Sequence, residues 1–328
     1  MGFNVRTQSQ QSSESKVQVD WEAYNKYIVE TCGLQNEEVL NGIISGVYDL
    51  GVQEQEDAQV EWKGKPEEEA AEIAKGNYFE DLMDHQSKTM KRYKRWKQKP
   101  VQSVAFAVDF PDVVLDKAPF FGGDSNPQPL RMIMGGEFVL TGGTRIIAKP
   151  QPIVIRKNDK TGNKWSFVPN STIYKLAVGT KLINSGDAFT GDMIDQLLGK
   201  AAQFKVRVYL KDGYLNEKCA FAAGLARGAV APQFDPSILH IVQFDTDNKE
   251  EDLKQLRISV RNTMSRASDY AGSKLQVQLD KIFTANKATT SAPEASNPPA
   301  SANVPVVSKP APQAAPVVEE EDLDNIPF

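Results

Sequence analysis

A chain of 328 residues with 38 Lys and Arg against 43 Asp and Glu can hold one large or two modest domains with a real core. Its only cysteines, Cys32 and Cys219, lie far apart, which argues against a disulfide framework and fits a reducing, cytoplasmic setting; with only His85 and His240 beside them, no zinc-ligand spacing exists. The net charge of -5 at first opposes nucleic-acid binding, but residues 284–328 carry six acids and two bases, a net of -4, leaving residues 1–283 at -1 and open to a local basic surface.

The opening MGFNVRTQSQQSSES has no apolar core of a secretory signal and places Arg6 where a myristoylation pattern needs Ser or Thr; residues 1–19 read as a disordered lead. Residues 20–99 read as a helical N-terminal cover. Trp21, Tyr24, Ile28 and Val29 recur at helical spacing, as do Val39, Leu40, Ile43, Ile44 and Val47. Pro66 followed by Glu67, Glu68 and Glu69 is a favourable helix start, with negative charge at the positive end of the dipole. This region ends in KTMKRYKRWKQK, residues 88–99, where seven of twelve residues are Lys or Arg and none is acidic. Lys88, Lys91, Arg92, Lys94, Arg95 and Lys97 supply cations for phosphates, and Tyr93 and Trp96 supply rings on which unstacked bases can lie. The alternative is a solvated helix face with Trp96 turned into the core.

From Val101 the texture turns to β, with 101–108 bounded by Pro100 and Pro111. Residues 137–140 and 145–148 flank Thr141-Gly142-Gly143-Thr144, and 153–156 and 164–168 flank a polar loop at 157–163; both patterns read as hairpins. Residues 119–137 read as a structured loop, 173–178 as a strand and 187–202 as a helix with Ile194, Leu197 and Leu198 as its stripe. Residues 204–210 alternate cleanly, Asp212-Gly213 marks a turn, and 216–225 return as a strand. After a β-like run at 238–244, residues 249–286 read as a C-terminal helix with a possible break at Gly272.

The predicted fold is therefore α+β. Strands, one helix and two more strands over 100–248 resemble the five-stranded oligonucleotide-binding (OB) barrel, here with added hairpins. Within it, Arg145, Lys149, Arg156, Lys157, Lys160, Lys164 and Arg207 are candidate phosphate contacts, and Trp165, Phe167, Tyr174 and Tyr209 are the pool of candidate stacking rings. The lysine-bearing loop at 157–164 is the strongest of these for phosphate.

Residues 287–318 are rich in Pro, Ala, Ser and Thr and hold no aromatic, a composition that cannot offset its ordering entropy and predicts a disordered linker. The chain then ends EEEDLDNIPF. Carboxylates followed by an apolar tip on a tether suit capture by a partner with a hydrophobic pocket ringed by cations. This ending resembles the acidic C-terminal tail of bacterial single-stranded DNA-binding proteins, a run of Asp closed by Ile-Pro-Phe. Asp322, Asp324, Ile326, Pro327 and Phe328 match that pattern, and Asn325 stands where an acid is usual. With its long N-terminal part and no match to the short bacterial barrel sequence, the chain looks more like the divergent phage-encoded members. The resemblance implies single-strand binding largely without sequence preference inside a bacterial cell, and recruitment of replication, recombination or repair proteins by the tail. Replacing Lys91, Arg92, Lys94 and Arg95 is then expected to weaken single-strand binding. An RNA-binding protein or chaperone on the same fold, or an adaptor that docks on replication enzymes without touching nucleic acid, are the rivals.

Signals for catalysis are missing. No Gly-rich phosphate loop ends in Lys-Ser or Lys-Thr, two isolated histidines accompany no nucleophile motif, and Asp109-Phe110-Pro111-Asp112 reads as a strand-end turn rather than a metal site. No enzyme activity, cofactor or metal is expected. No apolar run is long enough to span a bilayer. Homo-oligomerisation is left open.

Overall fold

β-branched residues and glycines interleave through the segment after the first helix, and this makes it a strand rather than a helix. The computed structural model describes residues 19–84, 87–141, 143–211 and 213–288. Helix α1 (Trp21–Cys32) is capped by Asp20, whose Oδ1 accepts the Ala23 N–H at 3.0 Å. Strand β1 (Glu38–Gln53) follows, and it corrects the helical expectation for Val39 to Val47. The strand is buried on both faces over most of its length, so its apolar residues do not alternate and the spacing does not report the period.

An insertion follows β1: β2 (Ala58–Glu61), α2 (Pro66–Ile73), β3 (Tyr78–Met83) and β4 (Met90–Trp96), with the strands ordered β2-β4-β3. Here α2 begins at Pro66 as its sequence predicts, but the basic stretch is strand β4 rather than helix. The chain continues through β5 (Val101–Leu115), α3 (Ala118–Phe121), β6 (Gln128–Ile133), β7 (Glu137–Val139), β8 (Arg145–Ile147), β9 (Gln151–Pro152), β10 (Ile155–Asn158) and β11 (Lys164–Phe167). The hairpins β7–β8 and β10–β11 form as their turn residues predict. Residues expected as a strand at 173–178 are instead helix α4 (Thr172–Gly179), started by Ser171, whose Oγ accepts the Tyr174 N–H at 3.3 Å. The helix expected at 187–202 shrinks to a 3-10 turn at Gly191–Leu197, and Ala201 already belongs to β12.

Strands β12 (Ala201–Lys211) and β13 (Tyr214–Ala223) form a long hairpin, β14 (His240–Val242) lies beside β1, and the expected C-terminal helix divides into α5 (Glu250–Lys254), α6 (Ile258–Met264) and α7 (Lys274–Ala288). Gly272, at φ 80°, sits in the break before α7.

The main sheet runs β13-β12-β1-β5-β6, all antiparallel, with β14 added parallel to β1 and β9 antiparallel to β5. The architecture is α+β with antiparallel sheets and no closed barrel among the described residues. Between the outer strands one backbone bond crosses the gap, from Gly135 N–H to Cys219 O at 2.8 Å. Gly135 has φ 96°, and a Cβ there would collide with the Lys149 carbonyl, so glycine is required at this crossing.

Two apolar clusters lie on opposite faces of the sheet. Phe106, Val108, Phe110, Phe204, Val206 and Val208 meet Ile28 and Val29 of α1 and the α4 side chains on one face. Tyr48, Ala105, Ala107 and Ile133 meet Leu253, Val260, Met264 and Leu275 of the C-terminal helices on the other. The face formed by β1, β5 and β6 is thus sealed by α5–α7. Among the described residues no helix is long and apolar enough to cross a membrane.

His240 is buried in this second face. Its Nδ1–H donates to the Ile238 carbonyl at 2.8 Å, which leaves Nε2 to accept the Tyr48 hydroxyl. Burial, and then the nearby Arg131 charge, hold its pKa down to about 4. An unfolded histidine titrates near 6.5, so the unfolded state binds the extra proton between these values. Stability is therefore expected to fall by roughly 3 kcal/mol as pH drops from about 6.5 to about 4. Denaturant titrations across that window should show this slope in the wild type and lose most of it in His240→Gln; an equal slope in both would place the acid sensitivity elsewhere.

Candidate nucleic-acid interface

The basic stretch is neutralised within its own insertion. Arg92 donates to Glu69 at 2.8 and 3.2 Å and to Asp81 at 3.2 Å, Lys94 reaches Glu72 at 3.1 Å, and Arg95 pairs with Glu80. Lys91 pairs with Asp84 and stands 3.6 Å from Glu61. Hydrogen bonds from Lys75 and Lys94 hold the Glu72 carboxyl down to about 2, and the bond to Glu69 raises the Arg92 pKa. At Lys91, Arg92, Lys94 and Arg95 a phosphate must displace carboxylates already in place. Lys88 and Lys97 are exposed and form no ion pair among the described residues. In a strand, Tyr93 and Trp96 fall on opposite faces. Lys94 Nζ lies 5.5 Å from the Trp62 ring and 5.9 Å from the Trp96 ring.

Two of the four candidate rings belong to the core. Phe167 is fully buried against Phe189 at 5.8 Å between ring centroids, and Tyr174 is buried with its hydroxyl donating to the Asp187 carbonyl at 3.0 Å. Tyr174 faces inward because its segment is a helix whose apolar face packs on the sheet. Trp165, by contrast, is 60 % exposed at the β10–β11 hairpin, directly across from Lys157, whose Nζ lies 5.8 Å from its ring. Arg156, Lys157, Lys160 and Lys164 around it are exposed and form no ion pair among the described residues. Asn158 caps the tip, its Oδ1 accepting the Lys160 N–H at 2.8 Å, and Asn163 holds φ 57° beside Gly162. Arg145 lies apart from this hairpin; its Nη2 donates to the Leu215 carbonyl at 3.2 Å and its Nη1 stands 3.6 Å from Glu137. Lys149 follows β8, away from the β10–β11 tip in sequence.

The β12–β13 hairpin brings together a group that the sequence hides. Register pairs Arg207 with Lys218, Tyr209 with Asn216 and Lys211 with Tyr214. Directly opposed residues share a face, so Lys205, Arg207, Tyr209, Lys211, Tyr214 and Lys218 line the solvent side, while Val206, Val208 and Cys219 point inward. The Arg207 guanidinium lies 4.4 Å from the Tyr209 ring centroid, and its Nε donates to the Gln35 carbonyl at 2.9 Å. Lys205 has Glu37 at 3.5 Å; Arg207, Lys211 and Lys218 form no ion pair among the described residues. Like charges directly opposite one another are unfavourable, yet Arg207 and Lys218 sit across from each other with no acid between. Of this face the sequence pointed only to Arg207 and Tyr209. Lys205, Lys211, Tyr214 and Lys218 could have been found by folding the alternation back across the Asp212-Gly213 turn.

Asp322, Asp324, Ile326, Pro327 and Phe328 lie outside the described residues, as do the lead up to residue 18 and the linker from residue 289, while α7 runs through Ala288, two residues into the expected linker. Among the described residues, no group of three or more His, Cys, Asp and Glu is placed to hold a metal ion, and both cysteines are free and buried. No protein-family model, curated protein or solved structure matches the chain.

Proposed function

We propose that the chain binds single-stranded DNA, largely without sequence preference, and recruits replication, recombination or repair proteins through its acidic terminal segment, with no catalytic step of its own. The carrying observation is the β12–β13 face, where uncompensated cations alternate with Tyr209 and Tyr214. Cations meet the phosphates, and a ring or a flat guanidinium gives an unstacked base a surface that tolerates any sequence. A polyanion relieves the repulsion between Arg207 and Lys218, which nothing else in the described structure does.

The strand order supports an OB-type core. Five antiparallel strands run β13-β12-β1-β5-β6, α4 stands between the third and fourth of them in chain order, and a bond from Gly135 to Cys219 spans the remaining gap. This order supports the reading of a partly open five-stranded Greek-key barrel. In such barrels the face of the second and third strands binds oligonucleotides together with the loops joining strands 1–2 and 4–5. Here the corresponding face of β5 and β6 lies under α5–α7, which leaves the β12–β13 hairpin as the exposed part of that equipment. The exposed β10–β11 tip, with Trp165 and its lysines, is a second contact for the same strand.

A fluorescence titration with labelled oligo-dT, repeated with duplex DNA and RNA of equal length across a salt series, tests this. Tight, salt-sensitive binding to the DNA single strand over the other two is the expected result. Equal or tighter RNA binding turns the assignment to an RNA-binding protein. No binding, with the terminal segment present or deleted, leaves the adaptor role. Deleting Ile326 to Phe328 should leave DNA binding and melting temperature unchanged and abolish capture of partner proteins; undiminished capture by the truncated chain would refute docking through this segment.

A further inference from the structure

A groove of about 1350 Å³ opens beside the gap of the sheet, between α1, β6 and the tip of the β12–β13 hairpin. It exceeds the usual volume of a small-molecule pocket, which is about 300–1,000 Å³, and suits a chain-like ligand better. Its walls carry two exposed rings. Trp21 of α1 is 60 % exposed, held from behind by edge-on contacts to Tyr24 and Phe121 at 6.0 and 5.7 Å. Tyr214, at the hairpin tip, is 65 % exposed and belongs both to this groove and to the basic face described above.

The charges of the groove are layered. The carboxylates of Asp109, Glu137 and Glu217 have side-chain exposures of 1, 1 and 5 %, whereas Arg131, Arg145 and Arg257 in front of them show 21, 25 and 28 %. These three acids lie beneath and the three arginines toward the opening, so this part of the wall presents positive charge to an arriving anion, while Glu22 of α1 is the exposed acid of the lining. Arg131 and Arg257 spend most of their donors on the acids and on neighbouring oxygens. Arg145 donates to one backbone carbonyl and keeps free N–H groups, and Lys117, which lines the groove, forms no ion pair among the described residues. The Lys117 pKa is drawn below the ordinary lysine value, first by desolvation and then by repulsion from Arg257.

We infer that this groove is a second single-strand subsite, in which a DNA segment leaving the β12–β13 face over Tyr214 stacks a base on Trp21 and sets its phosphates on Lys117 and Arg145. The subsite rests on the single-strand function proposed above and extends it to a defined path across the hairpin tip. The size of the groove and its paired rings fit several nucleotides, and its layered charge fits their backbone.

The test uses the full chain, with Trp21→Ala and Lys117→Gln as separate variants; both residues are exposed, and melting curves matching the wild type would establish that each variant folds. Affinity is measured for oligo-dT of about 4 to about 16 nucleotides, the range of site sizes for one OB fold. Photocrosslinking with iododeoxyuridine-substituted oligonucleotides, mapped by mass spectrometry, locates the path. The expected result is that both variants bind the shortest oligonucleotides as the wild type does and lose about tenfold for the longest, with a crosslink at Trp21. Wild-type affinity of both variants at every length, with crosslinks confined to the β12–β13 and β10–β11 hairpins, would overturn the groove and leave the proposed function standing. Absence of binding to every oligonucleotide would overturn both.

Discussion

Replacing Arg207 and Lys218 together with alanine is expected to weaken single-stranded DNA binding by about tenfold or more at physiological salt, and to flatten the plot of log affinity against log salt by about 1.4. The slope follows from two lost phosphate contacts, each releasing about 0.7 counterion on a single strand. The fold should not suffer. The two residues are opposed like charges on a solvent-facing pair of strands, so relief of their repulsion offsets the loss of the Arg207 bond to the Gln35 carbonyl. The matched control is the quadruple replacement of Lys91, Arg92, Lys94 and Arg95, whose carboxylate partners stand in the same insertion. That variant leaves Glu69 and Glu72 on one face of β4, and Glu80 and Asp84 on the other, without their β4 cations, so its first effect is expected on the insertion itself, with a smaller change in salt slope. An unchanged slope in Arg207→Ala/Lys218→Ala, or a larger loss in the control, would move the interface from the hairpin to the insertion.

The contrast between these two sites shows where the sequence was legible. Composition identified basic and aromatic residues well, but local density does not report neutralisation: the acids that pair with Arg92, Lys94 and Arg95 come from α2 and β3, distant by up to two dozen positions. The hairpin face has a lower cation density along the chain and gains it only when two strands align. The hairpins β7–β8, β10–β11 and β12–β13 were readable because Gly, Asn and Asp fix local turns. The nature of β1 and α4 was not, because both are buried segments whose periodicity yields to what they pack against. Phe167 and Tyr174 fail as stacking rings for the same reason: an aromatic in a regular element is most often placed by the core. No sequence signal foretold that α5–α7 would cover the β5–β6 face, since covering it depends on three helices folding back on the sheet.

Arg257→Met is expected to produce the largest loss of stability, about 3–5 kcal/mol, the cost of leaving buried charges without their partner. Arg257 enters the gap between β6 and β13 from the start of α6 and joins both sides. Its guanidinium reaches Glu217 at 2.8 and 3.1 Å, Glu137 at 3.2 Å and the Arg131 carbonyl at 3.2 Å. Without it, Glu137 retains Ser259 and Arg145 at 3.6 Å, and Glu217 loses its bidentate partner. Burial already raises the Glu137 pKa while Arg257 pulls it down, so removing the guanidinium raises it further. A carboxyl whose pKa is raised in the folded state takes up a proton there before it does so in the unfolded chain. The deficit of the variant is therefore present at neutral pH and shrinks as pH falls through the raised value. Denaturant unfolding of wild type and variant across pH 7 to 5 should show the two curves converging on the acid side. Adding Glu137→Gln and Glu217→Gln to Arg257→Met should recover much of the loss at neutral pH, because a network removed whole leaves no unpaired charge. If the triple variant is as unstable as the single one, packing by the arginine stem, rather than its charge, holds this gap.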